Sequence, residues 1–295
     1  MNTRVLHHEW RKALRSPFLY ISLIIALALA LAAALESYAF LKHENDLQVS
    51  YGYQLGLHAH NYLGQTRESS FGNWVVVSAN APLSASVFFY ALPLLVTLPY
   101  AWSYLSEKLS DYTSQVCVRT NCRNYLYTKI IVVFGTGFLV TAVALTANFL
   151  AVSCLFPAYQ PLIEEANFVG LFDISLFSQI FYSHPLLYVI VYTCLDATLM
   201  GLWAAAVTGL SAFLTDRIKL IVVPYLFLYA WHYFNGWIFT VLNVQGFNMN
   251  LFNSLRAESL LSVPNLAATL GEGVLLAFIA AIGTYILIRK EEEAC

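Results

Sequence analysis

Charged residues are scarce in this chain. Asp, Glu, Lys and Arg make up only 11% of its 295 residues, whereas soluble domains contain about a quarter of such residues. Hydrophobic residues account for 59% of the chain, and the mean hydropathy is +0.64. The composition therefore excludes an ordinary soluble domain and indicates a polytopic membrane protein. A net charge of -2 gives no support to nucleic-acid binding.

The motifs of a soluble catalytic domain are also missing. Neither the nucleotide-binding pattern GxxxxGK[ST] nor the metalloprotease pattern HExxH occurs in the chain. A GxG pattern at Gly135 and Gly137 lies inside an apolar run, where small residues favour close helix packing over phosphate binding. We therefore expect no catalytic site and no cofactor in this chain. If the protein uses ATP, another chain must bind it.

Cysteine is rare as well, with five residues. Cys117, Cys122 and Cys295 fall on the side that we expect to be reducing, which favours free thiols. The spacing of Cys117 and Cys122 allows a metal pair, but no second pair or nearby histidine completes four ligands. His58 and His60 are likewise too few to define a site. The sequence therefore predicts no metal centre.

Long hydrophobic runs dominate what is present. Crossing about 30 Å of hydrocarbon takes roughly 20 helical residues, and in lipid only a helix satisfies the backbone of such a segment. We predict an all-α polytopic membrane protein, a single transmembrane domain over residues 1–295 with six transmembrane helices. The six predicted spans are about 18–40, 83–105, 130–156, 186–214, 220–242 and 266–288.

The distribution of Lys and Arg predicts the orientation. Twelve of the fifteen basic residues fall on one side of these spans, and only Lys42, Arg67 and Arg256 fall on the other. Because basic residues collect on the cytoplasmic side, we expect a multi-pass protein of the cell membrane with both termini in the cytoplasm. Residues 41–82 then form a long outer segment.

The N-terminal segment precedes the first predicted span and carries several basic residues. Val5 to Ser16 can form a basic amphipathic helix, which Pro17 would end. Such a helix lies on the inner membrane surface or acts only as a positive topology anchor. Both interpretations are open.

Residues 106–129, called the polar segment below, lie between the second and third predicted spans, on the cytoplasmic side. Leu109, Tyr112, Val116 and Cys117 form a modest apolar stripe among polar residues, and Asn121 breaks the pattern. The stripe predicts a short amphipathic helix. Such a helix either inserts into a groove of a soluble partner or rests on lipid headgroups.

Asp196 is a carboxylate well inside the fourth predicted span. An ionised carboxylate facing lipid costs several kcal/mol, so this residue must be protonated, paired or turned toward water. One interpretation places it on a substrate or ion pathway. The other makes it a polar link between helices, with Thr193, Thr198 or a neighbouring tyrosine as its partner.

The order of residues in the polar segment resembles the loop between the second and third spans of ABC-2 type exporter permeases. Glu107 is followed by a polar amphipathic stretch, by basic residues and by a long apolar helix; the basic and aromatic residues of this pattern are Arg119, Arg123, Tyr125 and Lys129. The six-span layout, the cytoplasmic termini and the amphipathic N-terminal segment are also similar. So is an apolar but interrupted segment, residues 246–265, before the last span.

The resemblance implies a permease subunit of an ATP-driven exporter without catalysis of its own. A second permease subunit, identical or different, would complete the pathway, and separate ATP-binding subunits would bind ATP and Mg. The polar segment would be the coupling helix, in which the residues expected to contact the ATPase are Glu107, Asp111, Tyr112, Arg119 and Arg123. Residues 246–265 would form a re-entrant outer gate.

The residues themselves offer pathway candidates, and the large outer segment and the aromatic-rich membrane region point to a class of substrate. Asp196 and Glu272 are the pathway candidates. Asp196 lies well inside the fourth predicted span, and Glu272 lies just inside the last predicted helix, near the gate. The substrate class is a peptide, a lipid or another amphipathic compound.

Two other functions fit the sequence. The first is a membrane sensor or immunity protein that binds a peptide outside and transports nothing. The second is an intramembrane enzyme, whose groups would have to come from His58, His60, Glu164 and Glu165.

Overall fold

The computed structural model describes residues 3–54, 69–78, 82–119, 121–163, 169, 171–172, 175–242, 249–257 and 265–294. Within these residues all regular structure is helical. The α-helices are α1 (Thr3–Leu14), α2 (Pro17–Gln54), α3 (Leu83–Thr97), α4 (Ser103–Leu109), α5 (Tyr112–Arg119), α6 (Cys122–Leu155), α7 (Ser178–Ser183), α8 (Pro185–Gly209), α9 (Arg217–Leu242), α10 (Leu251–Ser254) and α11 (Leu266–Ala294). The expected all-α architecture is confirmed for the described part of the chain.

Four of these helices are long and apolar enough to cross a membrane. They contain the stretches Pro17–His43, Cys122–Leu155, Pro185–Ala212 and Leu266–Glu292. The four stretches coincide with the first, third, fourth and sixth predicted spans.

The other two predicted spans differ from expectation. Residues 83–105 divide into α3, which has only 15 residues, and the short α4. The break falls around Pro99, whose ring nitrogen has no proton to donate to a continuing helix. Helix α9 has 26 residues but is not among the four long apolar helices, because its apolar residues alternate with Tyr, His and Asn. A chain with six spans stays a prediction.

Two helices extend beyond their predicted ends. Helix α2 runs to Gln54, so the predicted outer segment 41–82 begins as a helix rather than as a loop. Helix α6 begins at Cys122 instead of about Ile130, because the Asn121 side chain caps its first turn by accepting a hydrogen bond of 3.0 Å from the Arg123 amide. The last third of the polar segment is therefore the start of a long apolar helix.

Small residues allow α6, α8 and α11 to pack closely at the centre of the bundle. A Cβ atom at Gly137 of α6 would lie 3.1 Å from the Met200 carbonyl oxygen of α8, and one at Gly135 would lie 2.5 Å from the Trp10 ring of α1. These contacts confirm the packing interpretation of the GxG pattern.

Residues 69–78, which were expected only as part of an outer loop, pack between α2 and α6. The Asn148 carboxamide of α6 accepts a hydrogen bond of 3.0 Å from the Val75 amide and donates one of 2.6 Å to the Ala30 carbonyl of α2. The Trp74 indole donates to the Leu145 carbonyl at 3.3 Å. A buried carboxamide in an apolar helix must find such partners.

Of the predicted re-entrant gate, the structure describes residues 249–257 and Asn265. Helix α10 is only four residues long, and its Leu251 and Phe252 are buried. The Ala257 amide donates to the Val76 carbonyl at 2.9 Å, which joins this segment to residues 69–78. The remainder of the predicted gate lies outside the described residues.

Candidate functional site in the polar segment

The polar segment folds as two short helices and not as the single amphipathic helix that its stripe predicts. Helix α4 ends at Leu109 and α5 begins at Tyr112. Between them, Asp111 has a φ angle of 55°, a left-handed conformation that Asp tolerates better than most residues. This turn separates the exposed Leu109 from the residues of α5.

Glu107 lies inside a cluster of charged residues at the base of the bundle. Its carboxylate accepts hydrogen bonds from the Lys129 ammonium at 2.7 Å, from the Lys12 ammonium and from the Tyr125 hydroxyl. The Lys129 ammonium also donates to Glu9 at 2.8 Å. The ion cluster, as we call it, consists of Glu9, Lys12, Tyr100, Glu107, Tyr125 and Lys129. It joins α1, α4 and α6.

The charges of the ion cluster balance, although the cluster is removed from water. Lys129 is 1% exposed and Glu107 is 6% exposed, whereas Lys12 is partly open to solvent. The Tyr100 hydroxyl donates to Glu9 at 2.8 Å. Two ammonium groups thus face two carboxylates, which is the arrangement that lets ionised groups remain buried.

Electrostatics favours the charged forms of Glu107 and Lys12. Burial penalises the Glu107 carboxylate, but the charge of Lys129 and the hydrogen bonds from Lys12, Lys129 and Tyr125 outweigh that penalty and lower the pKa of Glu107. Burial also opposes the Lys12 ammonium, yet its hydrogen bond and attraction to Glu107 raise the pKa of Lys12. Burial, reinforced by Glu9, raises the pKa of Tyr100, so this phenol stays a neutral donor.

A second set of ion pairs ties the C-terminal end of α11 to the polar segment. The Lys108 ammonium lies 2.5 Å from Glu291, which also accepts a hydrogen bond of 2.7 Å from the Tyr104 hydroxyl. Arg123 pairs with Glu292 through Nε at 2.6 Å and Nη2 at 3.2 Å. Both terminal helices, α1 and α11, therefore meet the polar segment at one end of the bundle.

Helix α5 has a buried face and an exposed face. Thr113 is buried, and Val116 packs against an apolar group that includes Tyr104 and Leu287. By contrast, Val118 is 84% exposed, and the neighbouring Leu109 of α4 is 63% exposed. Two large apolar side chains are therefore exposed among the polar residues of this segment.

The predicted ATPase-contact residues thus occupy different environments. Asp111 and Arg123 are exposed, and the Tyr112 ring lies 5.0 Å from the Lys12 ammonium in a cation–π contact. Glu107, in contrast, is held inside the ion cluster, where a partner reaches it only if the cluster opens. The Arg119 side chain lies outside the described part of the structure.

Sequence reasoning missed the roles of Glu9 and Lys12. A signal was present, because Glu9 is the acidic residue of a basic helix and lies one turn before Ala13, which is also buried. An acidic residue on the apolar face of a basic helix indicates a buried cationic partner.

The two cysteines of the polar segment are joined in a disulfide, so the expectation of free thiols at Cys117 and Cys122 was wrong. The turn at Asn121 brings their Cα atoms within 4.6 Å, and the bond connects α5 to the start of α6. Cys154 and Cys194 are free and exposed. Cys295 lies outside the described residues.

The sites considered for metal binding or enzyme chemistry fall outside the described residues: His58, His60, Glu164 and Glu165. In the part of the chain that the structure describes, no three His, Cys, Asp or Glu residues lie close enough to hold a metal ion.

The two pathway candidates lie in the bundle, away from the polar segment. Asp196 of α8 and Glu272 of α11 are buried, and neither carboxyl group has a hydrogen-bond partner among the described residues that meets ordinary geometry. The predicted link from Asp196 to Thr198 is not formed, because that hydroxyl donates to the Cys194 carbonyl at 2.7 Å.

Sequence reasoning also assigned no role to His232 of α9. Its two ring nitrogens lie 3.1 Å from the Tyr90 hydroxyl of α3 and 2.6 Å from the Asn250 amide beside α10. Since the ring is buried, these contacts satisfy both of its nitrogens and join three elements.

No family model matches this chain, and neither a curated protein nor a solved structure matches it. The resemblance to ABC-2 type permeases therefore rests on the sequence alone.

Proposed function

We propose that this chain is the permease subunit of an ATP-driven exporter of the ABC-2 type. The polar segment docks on a separate ATP-binding subunit, which binds ATP and Mg, and a second permease subunit, identical or different, completes the pathway. The chain itself transports and does not catalyse. Its substrate is a peptide, a lipid or another amphipathic compound. In this proposal the protein spans the cell membrane six times, with both termini in the cytoplasm.

The observation that carries the proposal is the two-sided character of the polar segment. Its outer surface presents Leu109, Asp111 and Val118, while its inner surface is bound to both terminal helices. A surface that transmits force must be exposed to its partner on one side and attached rigidly to the membrane helices on the other. An exposed face receives the partner, and rigid attachments pass its movement to the membrane helices.

The attachments define the roles of the predicted contact residues. Glu107 connects α4 to α6 through Lys129 at 2.7 Å, so in this proposal it positions the docking surface and does not bind the ATPase. A displacement of α5 is passed on to α6 directly, because the turn at Asn121 brings the Cα atoms of Cys117 and Cys122 within 4.6 Å of each other and leaves little slack. Asp111, Tyr112, Arg119 and Arg123 remain the proposed ATPase contacts.

Coexpression with an ATP-binding subunit, which we expect to be encoded beside this chain, tests the proposal. We expect the two proteins to copurify and ATP hydrolysis to be stimulated, and we expect Arg123→Glu to weaken both strongly. Arg123→Glu alone also breaks the pair with Glu292. The matched control is therefore the double variant Arg123→Glu/Glu292→Arg, which keeps an ion pair at this position.

The double variant distinguishes two roles of Arg123: contact with the ATPase, which we call docking, and the ion pair with Glu292, which we call tethering. If Arg123 contacts the ATPase, copurification stays weak although the internal pair is restored. Recovery in the double variant would limit Arg123 to a tethering role. Absence of any association with wild-type protein would contradict the proposed function.

A further inference from the structure

Two buried acidic side chains take no part in the ion cluster. Asp196 of α8 has no exposed surface, and Glu272 of α11 is almost as deeply buried. Neither oxygen of either carboxyl group has a hydrogen-bond partner of ordinary geometry among the described residues. Buried polar groups without partners are rare in folded proteins and call for an explanation in terms of function.

The surroundings of Asp196 contain no counterion in the described part of the chain. Tyr188 and Tyr192 precede it by two turns and one turn on the same face of α8, and both rings are buried. These phenols are the titratable groups that interact with Asp196. The helices that pack against α8 are α3, α6, α7, α9 and α11, and among the described residues no charged side chain on them acts on Asp196.

Helix α10 contacts both acid-bearing helices, which also pack directly against each other. The Tyr192 hydroxyl donates to the Ser254 carbonyl at 3.3 Å, and the Ser254 hydroxyl lies 3.5 Å from the Thr269 hydroxyl of α11. Glu272 follows Thr269 by three residues and lies beside the same Ser254 side chain. Ser254 thus contacts both helices close to their acidic residues.

The chemistry of these sites selects the ligand. An ionised carboxylate without a counterion costs several kcal/mol in an apolar interior. A metal ion needs more ligands than the described residues bring together. A side chain with no exposed surface leaves no room for an organic cation. A proton neutralises the carboxylate, needs no further ligands and takes up almost no space.

We propose that Asp196 is a proton-binding site, with Glu272 beside Ser254 as a second one, and that both are neutral acids in the packed bundle. Separation of α10 from α8 and α11 admits water and releases the protons, because hydration favours the carboxylates. Proton uptake is thereby linked to closure of the bundle. This inference does not depend on an ATP-binding partner.

Infrared spectroscopy of the purified protein in lipid at neutral pH tests the inference. We expect a carbonyl-stretching band of protonated carboxylic acids, of which Asp196→Asn removes one component and Glu272→Gln another. The control Asp216→Asn, at a residue whose side chain is 63% exposed, should leave the band unchanged.

Two results would overturn the inference. One is wild-type protein without a protonated-acid band at neutral pH. The other is a band that persists in full in Asp196→Asn. If the variant does not fold, the wild-type band decides alone, because exposed carboxylic acids are ionised at this pH and give no such signal.

Discussion

Replacement of Lys129 by methionine should destabilise the protein by about 3–5 kcal/mol, the usual cost of removing one partner of a buried ion pair. The substitution keeps most of the side-chain volume but leaves Glu9 and Glu107 buried with one ammonium group fewer. Lys129 lies 2.8 Å from Glu9 and 2.7 Å from Glu107, so its loss affects both carboxylates at once. We expect α1 to detach from α6 before the bundle unfolds.

Unfolding of purified protein in mild detergent measures this effect. The matched control is Lys219→Met, because Lys219 pairs with Asp216 at 3.1 Å and both side chains are more than half exposed. Exposed pairs contribute about 0–1 kcal/mol. Combining Lys129→Met with Glu107→Gln should recover part of the lost stability, since an uncompensated charge is removed. Equal effects of Lys129→Met and Lys219→Met would show that the ion cluster does not stabilise the fold.

Substitution of Gly283 by alanine should disrupt the contact between α8 and α11. A Cβ atom at Gly283 would lie 2.5 Å from the carbonyl oxygen of Gly209 and 2.6 Å from its carbonyl carbon and Cα. These are backbone atoms, so no side-chain rotation relieves the collision and the two helices must move apart. Overpacking of this kind costs about 1–3 kcal/mol.

Gly236→Ala is the matched control for this substitution. Gly236 is also a helical glycine, but no atom lies within 4 Å of a Cβ built there. Alanine favours helix by about 1 kcal/mol over glycine, so the control should be neutral or slightly stabilising. The same unfolding measurement compares both variants. If Gly283→Ala is as harmless as Gly236→Ala, the close approach of α8 and α11 is not needed for stability.

The sequence predicted helix positions well where local signals are strong. Pro17 marks the start of α2, and the apolar run from Leu266 forms α11. The length of α3 could not be predicted, because the apolar run continues past the point where the backbone turns near Pro99. The packing of residues 69–78 was equally hidden, since it depends on Asn148, some 73 residues from Val75 in the chain.

The candidate site also depends on contacts between residues that are far apart in the chain, which the sequence does not reveal. Glu107 and Arg123 lie in one polar stretch and looked equivalent, yet one is buried and the other is exposed. The difference comes from Lys12 of α1, which is 95 residues from Glu107 in the chain, and from Lys129 of α6. No local spacing in the polar segment indicates that contact.

Crosslinking from α5 tests the central claim most directly, that the polar segment docks on an ATP-binding subunit. A photoreactive amino acid replaces the exposed Val118, and in a control protein it replaces Ile218, which is 77% exposed at the start of α9. The account predicts that Val118 crosslinks to a chain that binds and hydrolyses ATP, with Ile218 giving little or none of this product. Crosslinks from Val118 to lipid alone, or equal crosslinking from both positions, would contradict it.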